Sequence, residues 1–292
     1  MILKEKINNG DYYFIAEIGQ NHQGDINIAK EMIDTLKAIG GVSAVKTAKR
    51  DIDTCLSDEQ KIMLYDNPNS FGKTYYEHRK ALEFTKEEFI EFKEYAEAQG
   101  FDFLSSFTDE PSLDFLVNEA KVGLLKIASQ RTTDIKLLEA TAKTGLPILL
   151  STGMCELSDV DRAVQIFKDN ELHILQCTSS YPCAESDINL NVIPMYAERY
   201  KGSVESVGLS GHHAGVAPEI GGYMLGARIF ERHFTLDRSM SGTDHAASLE
   251  PNGIKYLIKY LDQTISALGS SEKKVLDSEI PSLIKLRGDL NK

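Results

Sequence analysis

The chain has 292 residues, of which 42% are hydrophobic and 26% charged, a composition typical of a globular protein. Its formal net charge of −12 disfavours a general nucleic-acid or anionic-membrane surface, although local cations can still bind a small anionic substrate. The chain shows no signal-peptide pattern and no apolar run near the roughly 18 residues of a membrane span. Its four cysteines lack C-x-x-C spacing, so we expect a cytoplasmic protein with free thiols and no nucleic-acid or membrane partner.

Eight short apolar, β-rich runs alternate with helix-period segments along the chain. The runs are residues 12–19, 43–48, 101–107, 123–129, 147–152, 172–179, 204–210 and 228–234. The segments between them carry helix boundary signals, such as Asp25 as an N-cap and Gly40 as a stop. Continuous apolar strands separated by helices predict a parallel α/β sheet, and eight such units predict a closed (β/α)8 TIM barrel. An open doubly wound sheet is the alternative, but no G-x-G-x-x-G follows the first strand.

The predicted barrel forms a single domain with two long connections. We assign residues 1–270 to the barrel and residues 271–292 to a C-terminal tail. Residues 49–84 follow the second strand, and residues 235–250 follow the eighth. Long loops inside a compact barrel are usually binding loops or lids.

Polar residues stand at the ends of the predicted strands, which surround one mouth in such a barrel. They are Glu17, Lys46, Ser105, Ser106, Lys126, Ser129, Ser151, Thr178, Ser179, Ser210, His212 and His233. A lysine inside an apolar strand is costly to bury unpaired, so Lys46 and Lys126 indicate a function. With the hydroxyl groups they predict a site for a doubly anionic ligand, such as a phosphate with a nearby carboxylate.

Two histidines become neighbours when the barrel closes, because His212 leaves strand seven and His233 lies in strand eight. Imidazoles without a nearby cysteine suit a divalent metal such as Mn²⁺, Co²⁺ or Fe²⁺, whereas a structural zinc would need four protein ligands. A metal with two protein ligands keeps open positions and acts as a Lewis acid. The alternative for His233 is a satisfied core histidine. We expect His213 to face solvent or the next helix.

Several segments together resemble the sialic acid synthase family, enzymes that condense phosphoenolpyruvate with a sugar. They run in order over about residues 12–270 and read FIAEIGQNHQGDINIAKEMID, LLKIAS, PILLSTGM, QCTSSYP, GLSGHHAG and ERHFTLDRSMSGTDHAASLEP. Within the family, YDNPNSFGKTYYEHRKALEF looks most like the N-acylneuraminate-9-phosphate synthases, which accept a 6-phosphorylated sugar.

The resemblance implies a TIM barrel and a specific reaction. Phosphoenolpyruvate would react with an open-chain aldose, namely an N-acylmannosamine, its 6-phosphate or a related hexose. The products would be a nonulosonic or related 3-deoxy-ulosonic acid and phosphate. The resemblance also implies a divalent metal, Mn²⁺ in the first place, with Mg²⁺ or Co²⁺ as alternatives.

The resemblance further implies roles for individual residues. It makes Glu17, Lys46 and Lys126 catalytic, although Glu17 is open between base, water-ordering group and structural anchor. Phosphoenolpyruvate would contact Lys46, Ser106, Lys126, Ser129, Ser151 and Ser210. The metal would bind His212 and His233, and the sugar-facing positions are Gln23, Asn67, Arg131, Tyr181 and Asp244.

Four departures from the family pattern concern mainly the sugar. Ala48 stands in place of a glutamine, Arg131 in place of an acidic residue, and Gln23 in place of an acidic residue or asparagine. The antifreeze-like domain that usually follows in the family is not found after the tail, so we expect a homodimer or a separate antifreeze-like protein as a partner. We therefore expect the chemistry to be retained and the aldose changed, with Arg131, together with Lys49, Arg50 or Lys73, contacting an acidic group of the acceptor.

Two other functions remain open on the sequence. A pyruvate aldolase would use Lys126 as a Schiff-base nucleophile and would not need a metal. A non-catalytic paralogue would bind a sugar or a partner enzyme in a glycan pathway.

Overall fold

The computed structural model describes residues 2–288, which contain a closed barrel of eight parallel strands in sequential order. The strands are β1 (Tyr13–Gly19), β2 (Ala44–Lys49), β3 (Asp102–Phe107), β4 (Leu125–Ile127), β5 (Ile148–Ser151), β6 (Leu172–Cys177), β7 (Ser206–Gly211) and β8 (Ile229–His233). All eight predicted strands are present, and barrel closure confirms the (β/α)8 fold over an open sheet. β4 is shorter than predicted because the chain enters a 3-10 turn at Ser129–Arg131.

Thirteen α-helices occur among the described residues. They are α1 (Leu3–Asn8), α2 (Ile26–Ile39), α3 (Ile52–Cys55), α4 (Asp58–Ile62), α5 (Tyr75–Ala81), α6 (Lys86–Ala98), α7 (Glu110–Asp114), α8 (Ile135–Ala142), α9 (Leu157–Ile166), α10 (Val192–Arg199), α11 (Ala217–Met224), α12 (Pro251–Leu268) and α13 (Ile280–Arg287). The predicted signals hold at α2, where the Asp25 side chain accepts a hydrogen bond from the Asn27 N–H and Gly40 follows with φ of 76°. Across residues 2–288, none of these helices combines the length and apolarity needed to cross a membrane.

The core has two layers, separated by the barrel wall. The larger lies between the strands and the surrounding helices. The smaller fills the barrel and contains Leu3, Tyr13, Ile15, Ala44, Leu104, Leu124, Leu149, Leu175 and Ile229. Leu3 belongs to α1, a helix the sequence did not predict, and its side chain is fully buried at the start of β1. Because side chains alternate along a strand, the residues two positions after these apolar ones also face inward.

The two long connections lie at the C-terminal ends of the strands. Residues 49–84 form the short helices α3, α4 and α5, and residues 235–250 contain one 3-10 turn at His245–Ala247. The connections touch each other, because the Gly242 N–H donates to Asn69 Oδ1 over 3.1 Å. Both are therefore placed to cover the barrel mouth.

The tail follows α12 and includes α13. Nearly all side chains of residues 270–288 are exposed, and residues 289–292 lie outside the described residues. The proposed boundary after residue 270 stays a prediction.

Candidate active site

The polar side chains at the barrel mouth share the inward face of their strands. In β1, Ile15 lies in the apolar interior and Glu17, two residues later, is buried at the mouth. Strand register places Glu17 opposite Lys46 of β2 and opposite His233 of β8. The inward groups enclose a cavity of about 270 Å³, with walls that include most of the predicted site residues.

Lys46 and Glu17 form a buried ion pair, with Nζ of the lysine 2.6 Å from Oε2 of the carboxylate. Burial by itself lowers the pKa of Lys46, but the carboxylates of Glu17 and Glu231 outweigh it, and the net pKa is raised. Burial raises the pKa of Glu17 to about 7, even though Lys46 favours its charged form. At neutral pH Lys46 is therefore charged, while Glu17 is divided between its two protonation states.

Lys126 is buried in the wall of the same cavity. Its Nζ donates to Ser151 Oγ over 2.7 Å and to Glu231 Oε1 over 3.3 Å. Burial lowers the pKa of Lys126, with Glu231 opposing the shift. Burial also disfavours the charge on Glu231, but the ammonium groups of Lys126 and Lys46 outweigh it and hold its pKa at about 2. Glu231 is therefore a fixed negative charge between two lysines.

Glu231 is the principal site residue that the sequence analysis missed. Besides the two lysines it accepts a hydrogen bond from Ser210 Oγ over 3.2 Å. Its other oxygen, Oε2, is buried and has no hydrogen-bond partner among residues 2–288. A signal existed in the sequence, because Glu231 precedes His233 by two residues in one strand and must share its inward face.

Hydroxyl groups surround the lysines. The serines that line the cavity are Ser106, Ser129, Ser151, Ser179 and Ser210. Ser129 is anchored by the Gly153 N–H, which donates to its Oγ over 3.0 Å. A Cβ at position 153 would lie 2.3 Å from Ser179 Oγ and 2.8 Å from Ser129 Oγ, closer than normal contacts allow. Gly153 therefore lets both hydroxyls approach the backbone, and a larger residue would force one of them to move.

His212 and His233 face each other at the other side of the cavity, with ring centroids 5.5 Å apart. Nδ1 of His212 donates to the Thr178 carbonyl over 2.9 Å, which leaves its Nε2 as the free nitrogen. Burial lowers the pKa of His233 to about 4, although the nearby carboxylate of Asp244 opposes the shift, so this ring is neutral at pH 7. Tyr181 packs 4.0 Å from the His212 ring, centroid to centroid.

The histidine pair fits a divalent cation. His233 Nδ1 is buried without a hydrogen-bond partner within the described chain, and Asp244 Oδ2 lies 3.9 Å from it. No group of three or more His, Cys, Asp or Glu side chains in residues 2–288 is arranged as a complete metal site. Two imidazoles would thus leave positions for water and substrate. The prediction of no nearby cysteine was wrong, because Cys177 Sγ lies 4.0 Å from His212 Nδ1.

A hydrogen-bonded chain connects the loop after β2 with Asp244. Arg79 of α5 donates to Tyr75 OH over 2.8 Å and to Gln20 Oε1 over 2.7 Å. Gln20 Nε2 donates in turn to Asp244 Oδ2 over 3.4 Å. Arg79 and Arg50 both line the cavity, and Arg79 was not predicted. No strand periodicity marks a residue in a loop helix, so only the folded loop could reveal it.

Three predicted sugar-binding residues do not line the cavity, whereas Tyr181 and Asp244 do. Gln23 donates to the Ser241 carbonyl over 2.6 Å. Asn67 is exposed in the loop after β2. Arg131 lies 3.4 Å from Asp134 Oδ2, measured from Nη1, in an i, i+3 pair beside the mouth. The arginines that line the cavity are therefore Arg50 and Arg79, and not Arg131.

Comparisons with known proteins identify the family of this chain. The model of the NeuB family matches residues 32–273. N-acetylneuraminate-9-phosphate synthase of Mus musculus is 39% identical over 276 residues, covering 94% of this chain and 76% of the mouse protein. N,N'-diacetyllegionaminic acid synthase of Legionella pneumophila is 36% identical over 294 residues, covering 96% of this chain and 81% of that protein.

A solved structure also matches this chain. The crystal structure of N-acetylneuraminic acid (sialic acid) synthetase from Leptospira borgpetersenii in complex with citrate superposes with a TM-score of 0.79 at 32% identity. The match covers 96% of this chain and 93% of that one. These findings confirm the resemblance to the sialic acid synthases, and the chain belongs to the NeuB family.

Proposed function

We propose that the protein condenses phosphoenolpyruvate with an open-chain aldose, releasing phosphate and a nonulosonic or related 3-deoxy-ulosonic acid. One observation carries the proposal: a single cavity holds two buried lysines, Lys46 and Lys126, beside the imidazoles of His212 and His233. A reaction between a phosphorylated enol and an aldehyde needs an anion-binding half and a carbonyl-polarising half. The relatives named as sialic and legionaminic acid synthases support this reading.

The lysine half would bind phosphoenolpyruvate. Lys126, Ser129, Ser151 and Ser210 offer donors to the phosphate and carboxylate, with Lys46 and Ser106 completing the set. The ammonium groups would also offset the negative charge that the phosphate carries as it leaves. Glu231 would keep both lysines in place before substrate arrives, because its one oxygen Oε1 lies within 3.7 Å of each Nζ.

The acceptor half would bind an N-acylmannosamine, its 6-phosphate or a related hexose. Tyr181 and Asp244 stand at the cavity wall beside the histidines and would contact its hydroxyl groups. Arg50 and Arg79 both line the cavity and would meet an acidic group on the acceptor. We assign this role to these two arginines instead of Arg131.

His212 and His233 would hold a divalent cation, with Mn²⁺ as the first choice and Mg²⁺ or Co²⁺ as alternatives. When bound, the cation would act as a Lewis acid toward the aldehyde of the acceptor. The Thr178 carbonyl fixes the His212 tautomer, so that Nε2 is the nitrogen available to it.

The proposed reaction balances as follows. C3 of phosphoenolpyruvate forms a bond to the aldehyde carbon, and the aldehyde oxygen takes up a proton. The C2=C3 double bond supplies the electron pair for this new bond, which leaves C2 electron-poor. Water adds to C2 and loses one proton. The bond between C2 and the phosphate oxygen then breaks, and the remaining C2 hydroxyl gives its proton to the departing phosphate as the C2 carbonyl forms. Glu17 is suited to accept the proton that the water loses, because its pKa of about 7 lets it accept and release a proton near neutrality. Its alternative role is to hold the ammonium of Lys46 by their ion pair.

We further propose a cytoplasmic location, in keeping with the four unpaired cysteines of residues 2–288, and a homodimer or a separate antifreeze-like protein as a partner. Light scattering of the purified protein, alone and with candidate partners, measures the assembly. If the protein were a monomer at the concentration of the activity assay, and adding a candidate partner did not raise its rate, neither partner would be needed.

Phosphate release from phosphoenolpyruvate tests the reaction. The panel of acceptors contains N-acetylmannosamine, its 6-phosphate, mannose 6-phosphate and diacetamido hexoses, each with Mn²⁺ and with a chelator. We expect release that depends on both metal and one acceptor, and its loss in Lys126→Met. Lys37→Met is the matched control, since Lys37 is a lysine on the surface that donates to the Gln99 carbonyl.

The two alternatives give different results in the same assay. A Schiff-base aldolase would be trapped on Lys126 by borohydride with pyruvate and would ignore the chelator. A non-catalytic binding paralogue would bind metal and sugar without releasing phosphate from any acceptor.

A further inference from the structure

Three polar side chains are fully buried on the outer face of β7 and β8, behind the histidine pair. His213, Glu219 and Arg232 are exposed by 1%, 0% and 1%. Glu219 belongs to α11, so His213 faces the next helix rather than solvent, one of the two predicted environments. None of the three side chains lines the cavity, and the proposed reaction uses none of them.

Arg232 holds the segment that leaves β7. Its Nη1 donates to Glu219 Oε1 over 2.8 Å and to the Gly215 carbonyl over 2.9 Å. Its Nη2 donates to the His213 carbonyl over 2.5 Å. His213 Nε2 in turn lies 3.1 Å from Glu219 Oε1. A side chain of β8 therefore fixes the backbone on which His212 stands.

Chain alternation connects this cluster to the cavity. Arg232 immediately precedes His233, and His213 immediately follows His212, so each outward residue shares a peptide unit with an inward histidine. His213 and Arg232 pack closely against the backbone of Gly211, because a Cβ at Gly211 would lie 2.7 Å from His213 Cε1 and 3.1 Å from Arg232 Cδ. A shift of Arg232 or His213 would thus change the separation of His212 and His233.

Stability alone does not account for such a cluster. A buried ion pair loses the hydration of both charges, and apolar residues of similar volume often serve the fold equally well. The charged groups do, however, fix direction as well as distance, since the guanidinium satisfies two carbonyls and a carboxylate at once. We therefore expect the cluster to fix the positions of the backbone segments that it joins.

We propose that Arg232, Glu219 and His213 are positioning residues that set the separation of His212 and His233 for binding of a divalent cation. The inference rests on the proposed function in that it takes the histidine pair as the metal site. Supporting groups behind metal ligands commonly affect metal affinity by roughly 10- to 100-fold when they are changed.

Mn²⁺ binding measures the effect without turnover. The signal of free Mn²⁺ in electron paramagnetic resonance gives its Kd, and calorimetry gives the Kd of phosphoenolpyruvate in the absence of metal. We expect Glu219→Gln to raise the Mn²⁺ Kd by about tenfold or more while the phosphoenolpyruvate Kd changes by less than about twofold. The double variant His213→Glu/Glu219→Gln returns a carboxylate to Arg232 and should recover most of the affinity.

His173→Gln is the matched control. His173 is a buried histidine that contacts Glu171 and Ser206 away from the cavity, so its loss should leave the Mn²⁺ Kd unchanged. Circular dichroism establishes that each variant is folded, and Arg232→Lys replaces Glu219→Gln in the test if the latter does not fold. Wild-type Mn²⁺ affinity in the folded variant would overturn the positioning role.

The same titration separates this inference from the proposed function. If His212→Ala binds Mn²⁺ as the wild type does, the histidine pair is not the metal site and both ideas fall together. If the pair binds Mn²⁺ and Glu219→Gln weakens it, the positioning role stands whether or not phosphate is released from any acceptor.

Discussion

Glu231 and Lys126 are joined inside the barrel by a hydrogen bond of 3.3 Å between Oε1 and Nζ. The same oxygen accepts from Ser210 and lies 3.7 Å from Nζ of Lys46. One carboxylate from β8 therefore organises cations from β2 and β4, strands far apart in sequence. This arrangement compensates the charges of two buried ammonium groups.

The first prediction concerns that carboxylate. Glu231→Gln should lower kcat by at least about 100-fold, because preorganised charge in a water-excluded site typically contributes this much. It should also lower the free energy of unfolding by about 3–5 kcal/mol, since the buried Lys126 loses its carboxylate partner, while Lys46 keeps that of Glu17. Steady-state kinetics and denaturant titration measure the two effects.

Glu171→Gln is the control for that variant, because Glu171 pairs with Lys4 away from the cavity. It should leave kcat unchanged. A Glu231→Gln protein with wild-type kcat would show that the carboxylate only balances charge.

A second prediction distinguishes Arg50 and Arg79, which line the cavity, from Arg131, which does not. Arg50→Met and Arg79→Met should each raise the acceptor KM about tenfold, the cost of roughly 1.4 kcal/mol for a lost charged contact, with the phosphoenolpyruvate KM nearly unchanged. Arg131→Met should change neither KM, because Arg131 pairs with Asp134 outside the cavity. If Arg131→Met raised the acceptor KM while Arg50→Met and Arg79→Met left it unchanged, Arg131 would be the residue that contacts the acceptor.

The pH dependence of the reaction follows from Glu17. Its pKa is raised to about 7, mainly by burial, so lowering the pH through 7 protonates it. If Glu17 accepts the proton from water, kcat/KM, which reflects the pKa of the ligand-free protein, should rise with pH on a limb centred near 7, and Glu17→Gln should remove that limb. A pH profile that is unchanged in Glu17→Gln would leave Glu17 with the role of holding Lys46.

Gly153 provides a prediction about the serine cradle. Gly153→Ala would place a Cβ 2.3 Å from Ser179 Oγ and 2.8 Å from Ser129 Oγ, so one hydroxyl must move. We expect the phosphoenolpyruvate KM to rise by about tenfold, equivalent to one lost hydrogen bond to a charged group. Gly123→Ala is the control for a glycine substitution, since a Cβ there meets no atom within 4 Å and the φ of Gly123 is not in the left-handed region. Equal effects of the two variants on KM would rule out a phosphate site at Ser129.

The strands and the mouth residues were predictable because they depend on short-range pattern. A lysine inside an apolar run, as at Lys46 or Lys126, stands out by itself, and barrel closure then forces the strand ends together. Glu231 carried a weaker signal of the same kind, its spacing of two residues from His233.

Loop residues followed no such pattern. The family pattern predicts an acceptor contact at Arg131 because this arginine stands in place of an acidic residue, whereas in the folded chain Arg131 lies in a 3-10 turn and pairs with Asp134. Arg79 lies 30 positions after the end of β2 and reaches the cavity only because the loop folds back onto Gln20. The conformation of a long connection depends on contacts between distant segments, and the sequence of one segment does not contain them.

The sequence by itself determined the barrel, its parallel strands and the polar groups at their ends, since alternation and apolar runs are local properties of the chain. Only the tertiary structure decided which carboxylates pair with the buried lysines, which arginines line the cavity, and how His213 and Arg232 pack behind the histidine pair. These depend on distances of a few ångströms between residues that are remote in sequence, and electrostatic effects change steeply over such distances.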